Sequence, residues 1–95
     1  MFNKEKMQPT SFPPGMKMVF EIGKYDLSVV NNKMSYGNKQ GLFEISVYKD
    51  NNQIELPGIT DPGDTVKGFL TADDVNAIIK KMTAITGVEP TIKES

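Results

Sequence analysis

The sequence predicts an α+β domain: an antiparallel β-meander of about four strands with one C-terminal α-helix packed on one face, two layers in all. Three observations point there. Between residues 16 and 56, apolar and polar residues alternate in short runs, the period of half-buried strands. Gly, Asn and Asp separate those runs where turns are needed. From residue 71 to 87 the period changes to that of a helix, with start and stop signals at its ends. The 95 residues and 38% apolar content suit one domain, because a chain of this size buries about two thirds of its unfolded surface and fills a single core.

Residues 1–15, MFNKEKMQPTSFPPG, carry three prolines and no periodicity. They read as an extended N-terminal tail ahead of a domain at 16–87. Pro13 and Pro14 stiffen its end, and Phe12 either docks beside the first strand or stays with a mobile tail. In MKMVFEI, residues 16–22, Met16, Met18, Phe20 and Ile22 share one face, while Lys17, Val19 and Glu21 share the other. YDLSVVN follows with Tyr25, Leu27 and Val29 aligned. Gly23-Lys24 between them suits a type II′ hairpin turn; the alternative is one long strand bulged at Gly23.

After the connection NNKMSYGNKQG, residues 31–41, the run LFEISVYK puts Phe43, Ile45 and Val47 in an inward row. Asp50-Asn51-Asn52 is a turn whose members tolerate left-handed backbone. QIELP returns as a short strand with Ile54 and Leu56 together, ended or placed at an edge by Pro57. Asp61-Pro62-Gly63-Asp64 is a further turn, and VKGFL is either a brief fifth strand or an extended lead into the helix. Thr71 is the expected N-cap, with Asp74 completing a capping box and Leu70 facing Val75 as a staple. Val75, Ile78, Ile79, Met82 and Ile85 form the apolar stripe, and Gly87 stands at the C′ position. Residues 88–95, VEPTIKES, read as a C-terminal tail.

The absences in the composition narrow the chemistry. With no Cys there is no thiol nucleophile or thiolate metal site. With no His the usual neutral-pH base and the commonest transition-metal ligand are missing. All 11 basic residues are lysines, so the guanidinium fork that reads phosphate and guanine is absent. A net charge of −1, mixed along the chain, argues against specific nucleic-acid binding. Serines have no His to activate them, and Lys33 before Ser35 is too weak a spacing to indicate a Ser–Lys pair. Asp61 with Asp64 and Asp73 with Asp74 are accounted for by a turn and a helix start, and DPGD lacks the ligand series of a calcium loop. The expectation is a protein that is not an enzyme and takes no cofactor or metal. No apolar run approaches the roughly 20 residues of a membrane span, and MFNKEKMQPT lacks the layout of a secretory signal. The expected address is the cytoplasm.

The connection at 31–41 is the candidate site. It is longer than most hairpin loops, and long loops in small domains lean toward function. Lys33, Met34, Tyr36, Asn38 and Lys39 offer area, polarizability and adaptable polar contacts to a partner. The competing reading is an over-long turn, in which Gly37 and Gly41 supply geometry and Tyr36 folds back over the sheet edge.

MSYGNKQGLFEISVY followed by DTVKGFLTADDVNAIIKKM resembles a layout found in small phage and prophage proteins. There a Tyr-Gly loop leads into a GL-aromatic-E strand, and a G-aromatic-L-T step enters a short helix with an acidic start. The resemblance covers about residues 25–82 and contains no catalytic motif. It implies a phage accessory protein that binds a host or phage protein. Three functions follow as expectations: a protein-binding module, with a homo-oligomer through a strand edge as one form of it; a weak lysine-mediated nucleic-acid or nucleotide binder; and a minor virion or assembly component.

Overall fold

The structure, a computed structural model, describes residues 2–93. Seven strands form one antiparallel sheet: β1 (Gln8–Ser11), β2 (Pro14–Ile22), β3 (Tyr25–Asn32), β4 (Phe43–Lys49), β5 (Asn52–Ile54), β6 (Val66–Leu70) and β7 (Thr91–Ile92). The helix α1 (Ala72–Thr86) follows β6. The α+β class and the single C-terminal helix are as the periodicity predicts; the strand count exceeds the expected four. The meander β1 to β5 is continuous, and β6 returns to pair with β4.

The three long strands β2, β3 and β4 are the centre, and their register follows the alternation. Met18 lies opposite Val29 and Phe20 opposite Leu27, and Val29 and Leu27 lie opposite Ile45 and Val47. All six are buried. The hairpin turns follow from local chemistry. Gly23, at φ 62°, alone carries the positive φ between Ile22 and Tyr25, the type II′ pattern. Asp50 and Asn51, at φ 52° and 65°, join Lys49 to Asn52 with the two left-handed residues of a type I′ turn.

Short strands cover both outer edges of this centre. β1 pairs with the first half of β2 and β7 with Phe20 and Glu21 farther along it. β5 and β6 divide the outer edge of β4 in the same way. The extended lead VKGFL is therefore a strand. Covering a long edge with short strands is a common protection against unwanted pairing.

Residues 2–15 do not form a tail. Phe2 and Met7 are buried, and residues 8–11 are β1. Phe2 meets Phe43 edge-to-face with ring centroids 4.9 Å apart. Its main-chain N–H donates to Asn76 Oδ1 at 2.8 Å, and Asn76 Nδ2 donates back to its carbonyl at 3.4 Å. One helix cannot cover a sheet this wide, so the N-terminal segment fills the space beside it. Phe12, by contrast, does not dock: it is 95% exposed at the β1–β2 turn. The C-terminal segment is also partly recruited, since Thr91 and Ile92 are β7 and Lys93 N–H donates to the Val19 carbonyl at 2.8 Å. Residues 1, 94 and 95 of the two expected tails lie outside the described residues.

The helix starts as its sequence predicts. Thr71 Oγ1 accepts from Asp74 N–H at 3.1 Å, and Asp74 Oδ2 accepts from Thr71 N–H at 2.9 Å. These two bonds satisfy donors that the first turn otherwise leaves open. Gly87, at φ 71°, ends it in left-handed geometry. Val75, Ile78, Ile79 and Met82 are buried on the sheet, each contributing about 1.5–3 kcal/mol before entropy. Ile85 is half-exposed and outside the core. At 100° per residue it sits about 80° from Val75 around the helix, on the flank of the stripe. Thr86, nearly in line with Val75, comes against the Gly23 turn instead.

Candidate functional site

The connection between β3 and β4 is an ordered loop held by its own polar residues. Asn32 Oδ1 accepts from Met34 N–H at 2.9 Å, and Ser35 Oγ both accepts from Asn32 N–H at 2.9 Å and donates to the Asn32 carbonyl at 3.0 Å. Asn38 Nδ2 donates to the Ser35 carbonyl at 2.6 Å, and Asn31 Nδ2 to the Leu42 carbonyl at 2.9 Å. The Gly37 carbonyl accepts from both Gln40 and Leu42 N–H at 3.0 Å. Gly37 takes φ 90° to permit this, a conformation closed to most L-residues. Asn31, Asn32, Ser35 and Asn38 are thus the frame of the loop. Ser35, the member of the weak Ser–Lys spacing, is buried and bonded to Asn32.

The loop lies against β6. Phe69 N–H donates to the Tyr36 carbonyl at 3.3 Å, so Tyr36 does cover an edge, as the turn reading expects. The approach depends on two glycines. A Cβ on Gly68 would fall 2.5 Å from Tyr36 Cβ, and one on Gly37 would fall 2.9 Å from Leu42 Cβ and 3.1 Å from Phe69 Cα. The β4–β6 register slips between Phe43 and Ile45, which leaves Gly68 and Phe69 facing Glu44 as a bulge. Within the bulge Phe69 adopts φ 58°, an outlier for a bulky side chain. Its ring turns outward and stacks on Tyr36, with centroids 6.3 Å apart and planes at 26°.

The rings remain open to solvent. Tyr36 is 59% and Phe69 58% exposed, and neighbouring Met34 is 79% exposed. Phe12 belongs to the same end of the sheet, because Lys33 N–H donates to the Pro14 carbonyl at 3.2 Å and Gly15 pairs with Asn32. Met34, Tyr36 and Phe69 therefore lie at the same end of the sheet as the β1–β2 turn that carries Phe12. Of the expected residues, Lys33, Met34, Tyr36 and Lys39 are exposed here, while the Asn38 amide is occupied within the loop. Phe69 and Phe12 are exposed at this end too, and neither is among the site residues expected from sequence. Gly68 within VKGFL is compatible with a bulge, but which residue it turns outward is visible only once the register is known.

Glu44 lies beside the Tyr36 main chain. Half-burial pushes its carboxyl above the usual range, the Tyr36 main-chain N–H partly offsets that, and the charge of Asp64 adds to the rise. Other acids are engaged locally: Asp74 in the cap, Asp26 with Lys93 at 2.7 Å, Asp61 with Lys67 at 3.7 Å.

Two open depressions lie outside this cluster. One of about 670 Å³ runs between the N-terminal turn and the loop, lined by Phe2, Lys4, Lys6, Leu42, Phe43 and Thr71 among others. Another of about 810 Å³ lies where β1 and β7 leave a gap along β2 and is lined by Lys6, Lys17, Met18, Val19, Ile92 and Lys93 among others. Neither lining contains a carboxylate. Among the described residues, no group of three or more Asp and Glu side chains is placed to hold a metal ion. Nor, among the described residues, is any helix long and apolar enough to cross a membrane. Comparisons of the chain with protein-family models, with curated proteins and with solved structures found no match.

Proposed function

We propose that this chain is a non-enzymatic protein-binding module, of the accessory kind its phage-like sequence layout implies, and that it engages a host or phage protein through Met34, Tyr36, Phe69 and Phe12. The observation that carries this reading is Phe69. A bulky residue in left-handed backbone costs on the order of 1–3 kcal/mol. Core packing does not compensate that cost, because the ring points to solvent. Strain kept at an exposed aromatic is intelligible if the ring is used in contact. The loop that supports it is preorganised by its own hydrogen bonds, which limits the ordering that binding would require. Both outer edges of the long strands are already paired, so the loop end is a better contact face than a strand edge.

Phe69→Asn tests this cleanly. Asn tolerates left-handed backbone, so the change relieves strain as it removes the ring. Affinity capture from host lysate with wild type and variant, alongside thermal unfolding of both, is the measurement. The expected result is an unchanged or higher Tm with at least tenfold lower recovery of the partner, as for a hot-spot aromatic. Equal recovery of the same proteins by both forms would remove the loop end as the contact face.

A further inference from the structure

Resting on that reading, we infer that the surface formed by Met34, Tyr36, Phe69 and Phe12 takes a short extended segment of its partner that combines apolar anchors with Asp or Glu. Two features of the site select this class. The first is charge. From residue 27 to residue 43 the only charged side chains are Lys33 and Lys39, which bracket Met34 and Tyr36 along the loop. Both are exposed, and neither has a carboxylate within ion-pair distance among the described residues. Glu44 is half-buried beside the Tyr36 main chain. A partner carboxylate reaching Lys33 or Lys39 therefore displaces no internal ion pair, which favours acidic partners and speeds their encounter.

The second feature is width. The surface runs across the ends of β2, β3, β4 and β6. Three strand spacings of about 4.8 Å amount to about 14 Å, the length of roughly four extended residues. That is a segment, smaller than the face of a standard globular interface. A nucleic-acid strand fits less well. All 11 basic residues are lysines, without the guanidinium fork that reads phosphate bidentately. Tyr36 and Phe69 also occupy one face of each other instead of presenting separate platforms for successive bases.

The test is selection of binders from an mRNA-displayed library of random peptides about a dozen residues long, followed by titration of the recovered peptides into the labelled protein. Amide shifts locate the contact. The expected outcome is a set of peptides enriched in Asp or Glu next to Leu, Phe or Tyr that perturb residues 33–39 and 68–70. Their affinity should fall on the order of tenfold in the doubly charge-reversed Lys33→Glu, Lys39→Glu protein. Those two side chains are exposed, so the reversal leaves the core alone. Peptides that map to the same residues but are neutral or basic would overturn the acidic-segment inference and leave the protein-binding reading standing. Peptides that all map elsewhere would overturn both. Oligothymidylate of the same length serves as a competitor: if it shifts the same amides at lower concentration than any selected peptide, the surface is a nucleic-acid site and the inference fails.

Discussion

Phe69 and Glu44, on neighbouring strands, show how single residues here depart from what their types suggest. Phe69 in the run VKGFL has the composition of a buried strand residue, yet the bulge at Gly68 turns it outward. Glu44 alternates with buried Phe43 and Ile45 and reads as a solvated position, yet it is half-buried beside Tyr36. Its raised carboxyl pKa has a definite consequence for stability. The folded form holds the proton more tightly than the unfolded chain, so the group's contribution is fully present below the ordinary carboxyl pKa. It is lost as pH rises through the folded value. Glu44→Gln removes that loss while keeping an acceptor for Tyr36 N–H. Thermal unfolding should give the variant a higher Tm than wild type at about pH 7, with the two converging near about pH 4. A constant difference across that range would show that charge is not the cause.

At the scale of elements, the helix is the most legible part of the chain and the β3–β4 loop the least. The helix is specified by contacts within four residues of each other: the Thr71–Asp74 box, the 3.6-residue stripe, Gly87. Removing the cap hydroxyl in Thr71→Ala should lower stability by about 1 kcal/mol, whereas Thr71→Ser should leave it nearly unchanged. The midpoint of urea unfolding measures both. Only Ile85 departs from the stripe, because the helical repeat carries it to the flank after ten residues. The loop instead takes its form from a mixture of local and distant partners. Asn32, Ser35 and Asn38 could be read as turn formers, but the docking of Tyr36 on Phe69 joins residues in separate elements. Tyr36 covers an edge through its backbone and stays exposed through its ring.

For the whole molecule, the principal difference from the sequence expectation is the recruitment of both ends. A helix of 15 residues spans about 22 Å, and its four buried side chains leave part of the sheet uncovered. Phe2 and Met7 fill that gap, and Ile59, from the loop between β5 and β6, joins the same core. Phe2→Ala should therefore behave as a core truncation and cost about 3–5 kcal/mol. A residue on a free tail would cost under about 0.5 kcal/mol. Chemical denaturation distinguishes the two outcomes directly. The same closure makes the sheet centre hard to reach: β1, β5, β6 and β7 lie along the outer edges of β2 and β4, and the loop end is one place where large apolar side chains of several elements remain open.

The sequence by itself determined what nearest neighbours along the chain can decide: where strands alternate, where turns reverse, and where the helix begins and ends. Those choices rest on side-chain period, on residues that accept left-handed backbone and on capping groups within one turn. Only the tertiary structure decided which terminal segments belong to the core, that β6 returns to β4, and that Phe69 faces outward onto Tyr36. These depend on the apolar area left after the helix is placed and on the register between strands distant in sequence. Phe2 bonds Asn76 across 74 positions, and no local pattern in MFNKEKM marks that partner.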